Sequence, residues 1–435
     1  MMTDLAICPH LTGEFVLYDI NHGAALNNAE IGEKIFSHPD AVTRFKTRAT
    51  VDIADALKDA DFVIISIEPG PTQMRFADLE IPRKYGILQT VGDTVGPGGV
   101  NRVLRTVPIM MNYARDIMQY CPKAWIINYT NPMTLSIRSF YAVEPQIKAF
   151  GCCHEVLETQ ALLGLLVQGW FDVERPDHHE IKLDISGVNH FTMAAKASWD
   201  GNDLMPRLRE RASDPKTYSD RTEKALQRKK EQKWFSSSHV IKYDFLRNFG
   251  ALGAAGDRHL AEFVPWYLSS EEILHRFGVI LTPFEWRMQV RSGPAVKASD
   301  YLVKNLVKSE EEGVSQILAL LGLKPVITNV NLPNNGQMPG VRQDTVVETN
   351  AQLQDNAILP IVSHPLPPMA LELQRKIITN QETLLTAILE KDLELAFSVL
   401  LNDPQVHLPT DQTRLLFNEM LEYSRKYLPD WCDKI

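Results

Sequence analysis

Residues 14–20 read EFVLYDI, a short apolar run that closes on an acid. Runs of four to eight residues with this composition, bounded by polar punctuation, form strands. In a dinucleotide-binding unit an acid at the end of the second strand bonds the ribose, roughly 20 residues after a glycine-rich turn. Asp19 fits that acid, although by itself it is equally a turn residue after a strand. It is only the nineteenth residue, so the glycine turn and first strand would fall before Met1. Residues 1–6 read like the middle of the helix that follows such a turn. The expectation is a Rossmann-like sheet without its first strand in this record. A start placed too late is preferred to true loss, because losing a central strand would bare edges on two neighbours.

Working outward, residues 24–36 and 51–60 have helical patterns, and residues 61–67 (DFVIISI) are a nearly all-apolar strand. A long helix is predicted over 101–120, with buried strands at 124–129 (AWIINY) and 147–151 (IKAFG). Asn131 is placed as an N-cap and Pro132 at the first helical position. Apolar strands separated by helices imply a parallel sheet covered on both faces, with ligands beyond the carboxyl ends of the strands. The pattern changes near residue 180. A pair of strands is predicted over 181–199, charge-rich linkage around 214–233, further strands at 326–330 and 344–349, and closing helices over 374–401 and 411–427. The fold class is therefore α/β, with a parallel-sheet domain over 1–180 and an α+β domain over 181–435.

Composition narrows the function. The chain has 435 residues, a net charge of −9 and 44% apolar residues. An acidic balance argues against a nucleic-acid surface or a polybasic membrane patch. No apolar run reaches the roughly 18 residues of a membrane span, and no secretory signal opens the chain. Five cysteines are too few for a disulfide framework in a chain this long. A reducing cytoplasm is expected.

Four segments carry candidate chemistry. GDTVGPGG (92–99) precedes the long helix, so its amides face an anion or cofactor, or it is a plain connector. GCCHEV (151–156) and GVNHFT (187–192) place Cys153 and His190 after strand-like runs. Side chains alternate along a strand, so Cys152 and Cys153 cannot both enter one site. Thiolate and imidazole are good metal ligands, and two of them would make an open site rather than a closed structural zinc. Buried filler and a hydrogen-bonding histidine are the competing roles. AAGDRHLAEFVPW (254–266) gathers Asp257, Arg258, His259 and Glu262. Asp257 and His259 could act as bases, or the segment could simply start a helix, with Glu262 structural.

Together VLYDI, ISIEPG, VGDTVGPGG, INYTNPM, GCCHEV, GVNHF, AAGDRHLAEF and NLPNNG, in this order, resemble glycoside hydrolase family 4, the NAD- and metal-dependent glycosidases. GCCHEV with AAGDRHLAEF is most similar to the branch acting on α-galacturonides. The resemblance implies a lactate/malate dehydrogenase-like fold, NAD and Mn²⁺ as cofactors, and homodimers or homotetramers. It implies Cys153 and His190 as metal ligands, His154 as general acid, and Asp19 at the adenosine ribose. Asn131 and Asn189 would bind sugar hydroxyls, with Asn131 also bordering the cofactor. The base is not evident, and Asp257 and His259 stand in for it. Thiolate is a soft partner for Mn²⁺, so a weak, oxidation-sensitive site is implied. A uronate would need a cation, for which Arg75, Arg83, Arg105 and Arg258 are candidates. A 2-hydroxy-acid dehydrogenase, or an inactive sugar- or cofactor-binding relative, are the alternatives.

Overall fold

A computed structural model describes residues 1–292, 303–309 and 311–433. Its first element is a short helix, α1 (Met2–Ala6), followed by β1 (Glu14–Tyr18), α2 (His22–Phe36) and β2 (Lys46–Thr50). β1 and β2 form a parallel pair in register Glu14↔Lys46 to Tyr18↔Thr50. β2 was not legible: KTRAT has no apolar pattern, and its residues are only half-buried. After α3 (Ile53–Leu57) comes β3 (Phe62–Ile65), then α4 (Met74–Lys84), which carries Pro82 near its end and was also not anticipated. The long helix α5 spans Gly96–Tyr120, β4 Trp125–Asn128, α6 Met133–Val143, β5 Lys148–Gly151 and α7 Glu155–Phe171.

β3, β4 and β5 are parallel neighbours. Among the described residues no ladder joins β1 to β3, so the parallel strands lie in two separate sheets. The strand alternation decides what covers each face. Ile126 and Ala149 pack with α5 and α6 around Met110, Ile117, Ile137 and Phe140. Ile127, Phe150 and Cys152 point the other way, toward Leu5, Phe36, Val314 and Ile317.

The remaining strands are β6 (Lys182–Gly187), β7 (Met193–Trp199), β8 (Asn202–Asp203), β9 (Leu252–Gly253), β10 (Val326–Pro333), β11 (Val346–Gln354) and β12 (Ala357–Pro360). They do not build an isolated second sheet. The order is β3-β4-β5-β10-β11-β6-β7-β8, with β10 antiparallel to β5 through Asn331↔Gly151. Strands from both halves of the chain thus share one mixed sheet, and the carboxyl ends of β4 and β5 meet the turn after β6. The closing helix expected over 374–401 is two helices, Pro368–Glu390 and Leu393–Asn402, and two helix starts beside the site also differ from expectation. α5 begins at Gly96, five residues early, and α6 begins at Met133, so Pro132 is the N-cap and Asn131 stands one place outside it.

Candidate active site

The site is built around the loop before α5. Val91 and Gly92 donate their backbone N–H to the buried carboxylate of Glu262 at 2.7 and 3.0 Å. Gly96 N–H donates to Asp403 at 2.9 Å, and Gly98 N–H to Gln89 Oε1 at 3.1 Å. The amides of Gly92, Gly96 and Gly98 are therefore taken by the protein's own side chains, and that of Gly99 by Val95 O. Glycine is required there by space: a Cβ on Gly98 would sit 2.4 Å from the Asp78 carbonyl oxygen. Pinned in this way, the loop presents Asp93 and Thr94.

Opposite it, His190 sits in the turn after β6 with φ +67. Gly187 makes that turn close, since a Cβ there would lie 2.7 Å from Phe191 O. Thr94 Oγ1 lies 3.0 Å from His190 Nδ1, and Asp93 Oδ1 lies 3.8 Å from the same nitrogen. His259 stacks on His190 with centroids 3.8 Å apart. One donor atom from each of Asp93, His190 and His259 falls within 4.8 Å of the others, a spacing that suits one cation. Burial, and then His259, push His190 down to about 3, so it is a neutral imidazole able to ligate. Burial would raise Asp93, but the charges of His259 and of the Arg102 and Arg75 guanidiniums outweigh it and hold its carboxyl well below the usual range. Glu155 Oε1 lies 3.3 Å from His259 Nε2. Burial would depress that imidazole, but Glu155 raises it above its ordinary value.

Cys153 is buried on the face opposite Cys152. Burial lifts its thiol well above the usual range, with Glu348 and Glu155 adding to the effect and Asn189 opposing it. Glu348 lies across β11 from Gly187 and accepts hydrogen bonds from Asn189 Nδ2 at 3.0 Å and Asn329 Nδ2 at 2.6 Å. Asn329 also donates to Cys153 O at 3.2 Å. This fixes the Asn189 amide and leaves its buried Oδ1 unpartnered. Asn131 donates to Asp93 Oδ2 at 3.3 Å and likewise has a buried, unpartnered Oδ1. Two such oxygens are suited to accept from substrate hydroxyls.

Asn131, His190 and His259 thus gather at Asp93, whereas Cys153 lies beside Asn189 and Glu348 and is not one of the donors that fall within 4.8 Å of one another. His154 stands at the rim: its ring is 56% exposed and lies 3.9 Å from Glu155. Asp257 is used differently. Its two oxygens accept Val240 N–H at 2.8 Å and Lys242 N–H at 3.3 Å, capping the helix Val240–Phe249. Asp19 accepts Asn21 N–H at 2.8 Å at the start of α2. The neighbouring Tyr18 packs on Tyr113, about 25 Å along α5 from Gly96 at 1.5 Å per residue. Asp19 is therefore not part of the cluster. Asp93, Glu155 and Glu348 were missed by sequence reasoning. Asp93 and Glu155 lie inside quoted motifs as the acids nearest the named residues; Glu348 has no local signal.

A parallel layer with an acid–imidazole cluster where it meets antiparallel strands has the form of an α/β enzyme site whose donors suit a metal ion. The comparisons identify its kind. The family model for family 4 glycosyl hydrolases matches residues 1–168, and the model for their C-terminal domain matches 185–406. An α-galacturonidase from Thermoanaerobacterium saccharolyticum is 42% identical over 442 residues, covering 99% of this chain and 94% of that protein. A Bacillus subtilis crystal structure, described as that of a glucosidase, lplD, is 40% identical with a TM-score of 0.88, covering 97% of this chain and 95% of that one. A 6-phospho-β-glucosidase from Thermotoga maritima, solved with manganese, NAD⁺ and glucose-6-phosphate, shares the fold at 19% identity with a TM-score of 0.73, covering 96% of this chain and 92% of that one. The chain belongs to the family 4 glycosyl hydrolases.

Proposed function

We propose that this protein is an α-galacturonidase that uses NAD and a divalent ion, with Mn²⁺ as the expected metal. The observation that carries the reading is the cluster of Asp93, neutral His190 and His259, with the unpartnered amide oxygens of Asn131, bonded to Asp93, and of Asn189, next to His190 in the chain. The donor set fits a divalent cation: His190 and Cys153 are its assigned ligands, and Asp93 supplies a hard oxygen that Mn²⁺ favours. For NAD the fit rests on Asp19, whose half-buried carboxylate accepts Asn21 N–H on one oxygen and can accept a ribose hydroxyl on the other. When bound, the dinucleotide supplies a reversible hydride acceptor and the ion a Lewis acid, which together make a sugar C–H proton labile.

The protein's own groups do the rest. Asn131 Oδ1 and Asn189 Oδ1 accept sugar hydroxyls and fix the ring, with the Asn189 amide set by Glu348. His259, paired with Glu155 at 3.3 Å, holds and moves a proton at Nε2. His154, at the exposed rim, delivers a proton to the departing glycosidic oxygen. Asp257, whose carboxylate caps a helix, is assigned to that structural task rather than to the base. Cys8, Cys121, Cys152 and Cys153 are free thiols, which supports a reducing compartment. Among the described residues no helix is long and apolar enough to cross a membrane. Exposed Ile327 on β10 and Leu359 on β12, which flank Gln352 of β11, with Val362 just past β12, support self-association into dimers or tetramers.

Cys153→Ser tests the reading. Mn²⁺ titration followed by electron paramagnetic resonance should show at least tenfold weaker binding, with an unchanged circular dichroism spectrum and loss of p-nitrophenyl α-galacturonide hydrolysis. Wild-type metal affinity in the variant refutes Cys153 as a ligand. If the wild type fails to cleave the uronide under Mn²⁺, NAD⁺ and thiol, the substrate assignment falls.

A further inference from the structure

Four arginines crowd the same region, and the described carboxylates do not balance them. Arg75 Nε and Arg102 Nη1 share a single oxygen of Glu68, at 2.7 and 3.1 Å. Arg258 and Arg287 have no carboxylate partner among the described residues. Both aim a terminal nitrogen at one acceptor, Thr90 O, at 2.8 and 3.2 Å. Arg258 is 8% exposed, and the Nε of each arginine is buried without a partner. The Arg287 guanidinium is depressed to about 9, first by burial and then by the charges of Arg75 and Arg258. The nearby acids are engaged elsewhere: Glu262 holds the amides of Val91 and Gly92, and Asp93 faces His190. Two guanidiniums that meet at a carbonyl, desolvated and mutually repelling, are an unfavourable arrangement unless an anion enters.

Their position relates them to the cluster. Thr90 is three residues from Asp93, so the two Cα atoms are at most about 11 Å apart. Arg258 directly precedes His259, which stacks on His190. The arginine pair is therefore held by the same loop and turn that carry the proposed metal donors Asp93 and His259. The other candidates are spent: Arg105 is a buried bidentate partner of Asp78 at 2.9 and 2.7 Å, and Arg83 is half-exposed and paired with Glu271 at 2.6 Å.

We infer that Arg258 and Arg287, converging on Thr90 O, form the recognition site for the substrate carboxylate and set the preference for a uronide over a neutral sugar. Arg75 adds a third positive charge from behind. This rests on the uronide reading above and deepens it, because a neutral galactoside has no group for the fork to grip. A guanidinium binds a carboxylate through two parallel N–H donors, which a lysine cannot reproduce.

The test compares D-galacturonate with D-galactose as ligands by calorimetry, and the two p-nitrophenyl α-glycosides as substrates, in wild type, Arg287→Met, Arg287→Lys and Arg258→Lys. One charged hydrogen bond corresponds to about a 10- to 150-fold change. The uronide-to-galactoside ratio is expected to fall by that amount in Arg287→Met and by less in Arg287→Lys. Should Arg287→Met fail to fold, Arg287→Lys and Arg258→Lys decide, read as the same ratio. A ratio within twofold of wild type in the folded variants overturns the inference, as does a wild type that binds both sugars equally. A wild type that binds galacturonate through Arg287 but does not cleave the uronide leaves the carboxylate site standing and removes the proposed activity instead.

Discussion

Glu262→Ala should loosen the loop that presents Asp93, and its cost can be worked from two bonds. The Glu262 carboxylate accepts Val91 N–H at 2.7 Å and Gly92 N–H at 3.0 Å in a fully buried setting. A hydrogen bond to a charged group contributes about 1.5–3 kcal/mol, so losing both costs about 3–6 kcal/mol. Burial raises the carboxyl above its ordinary range, so desolvation already offsets part of the gain and the lower half of that interval is expected. Removal also leaves two amide donors facing apolar space. The assay is urea unfolding at pH 7.5, read as a shift of the midpoint at constant slope. Glu262→Gln is the control, because its single carbonyl oxygen can still serve both amides and should lose no more than about 2 kcal/mol. In the alanine variant Thr94 and Asp93 lose their fixed approach to His190, and kcat/KM should fall at least tenfold. An alanine variant with a midpoint worth less than about 0.5 kcal/mol of change, an ordinary surface-substitution effect, refutes the reasoning.

Breaking the buried Arg105–Asp78 pair by Arg105→Met should destabilise by about 3–5 kcal/mol in the same unfolding assay, since Asp78 keeps the Asn101 amide but loses its buried counter-charge. Glu348→Gln cannot accept from both Asn189 and Asn329, so the Asn189 amide should turn its donor into the site; kcat should fall at least tenfold with a small change in melting temperature, and unchanged turnover argues against Glu348 as a positioning residue. His239 is depressed to about 4, first by burial and then by Lys242. Its folded value lies below the unfolded 6.5, so its stabilising share is present above pH 6.5 and is lost as pH falls toward 4, by at most about 3 kcal/mol. His239→Asn, which tolerates the φ of +57, should flatten the acid side of the stability curve by up to that amount; an unaltered curve counts against the buried neutral ring.

The parallel strands were legible because runs such as DFVIISI and AWIINY are apolar on both faces, which only a covered sheet explains. β2 was hidden because an edge strand with half-buried KTRAT carries no alternation. The merging of both halves into one sheet was hidden for a different reason: Asn331↔Gly151 is a contact 180 residues apart, with no local signature. At the site, Cys152 and Cys153 were separable in advance by strand parity alone. Asp93 was quoted only as part of a glycine loop, and its role became visible when Glu262, from 170 residues away, turned out to hold that loop. Arg287 lies in a helix of mixed composition, Phe284–Ser292, and only its shared acceptor with Arg258 gives it a task.

The junction between β5 and β10 bears on how the polypeptide can be bisected. A fragment ending near residue 180 would carry β5 with a bare flank, and the complementary fragment would expose β10 in the same way. Each piece should aggregate when expressed alone, while the two made together in one cell should reassemble along that seam and regain turnover.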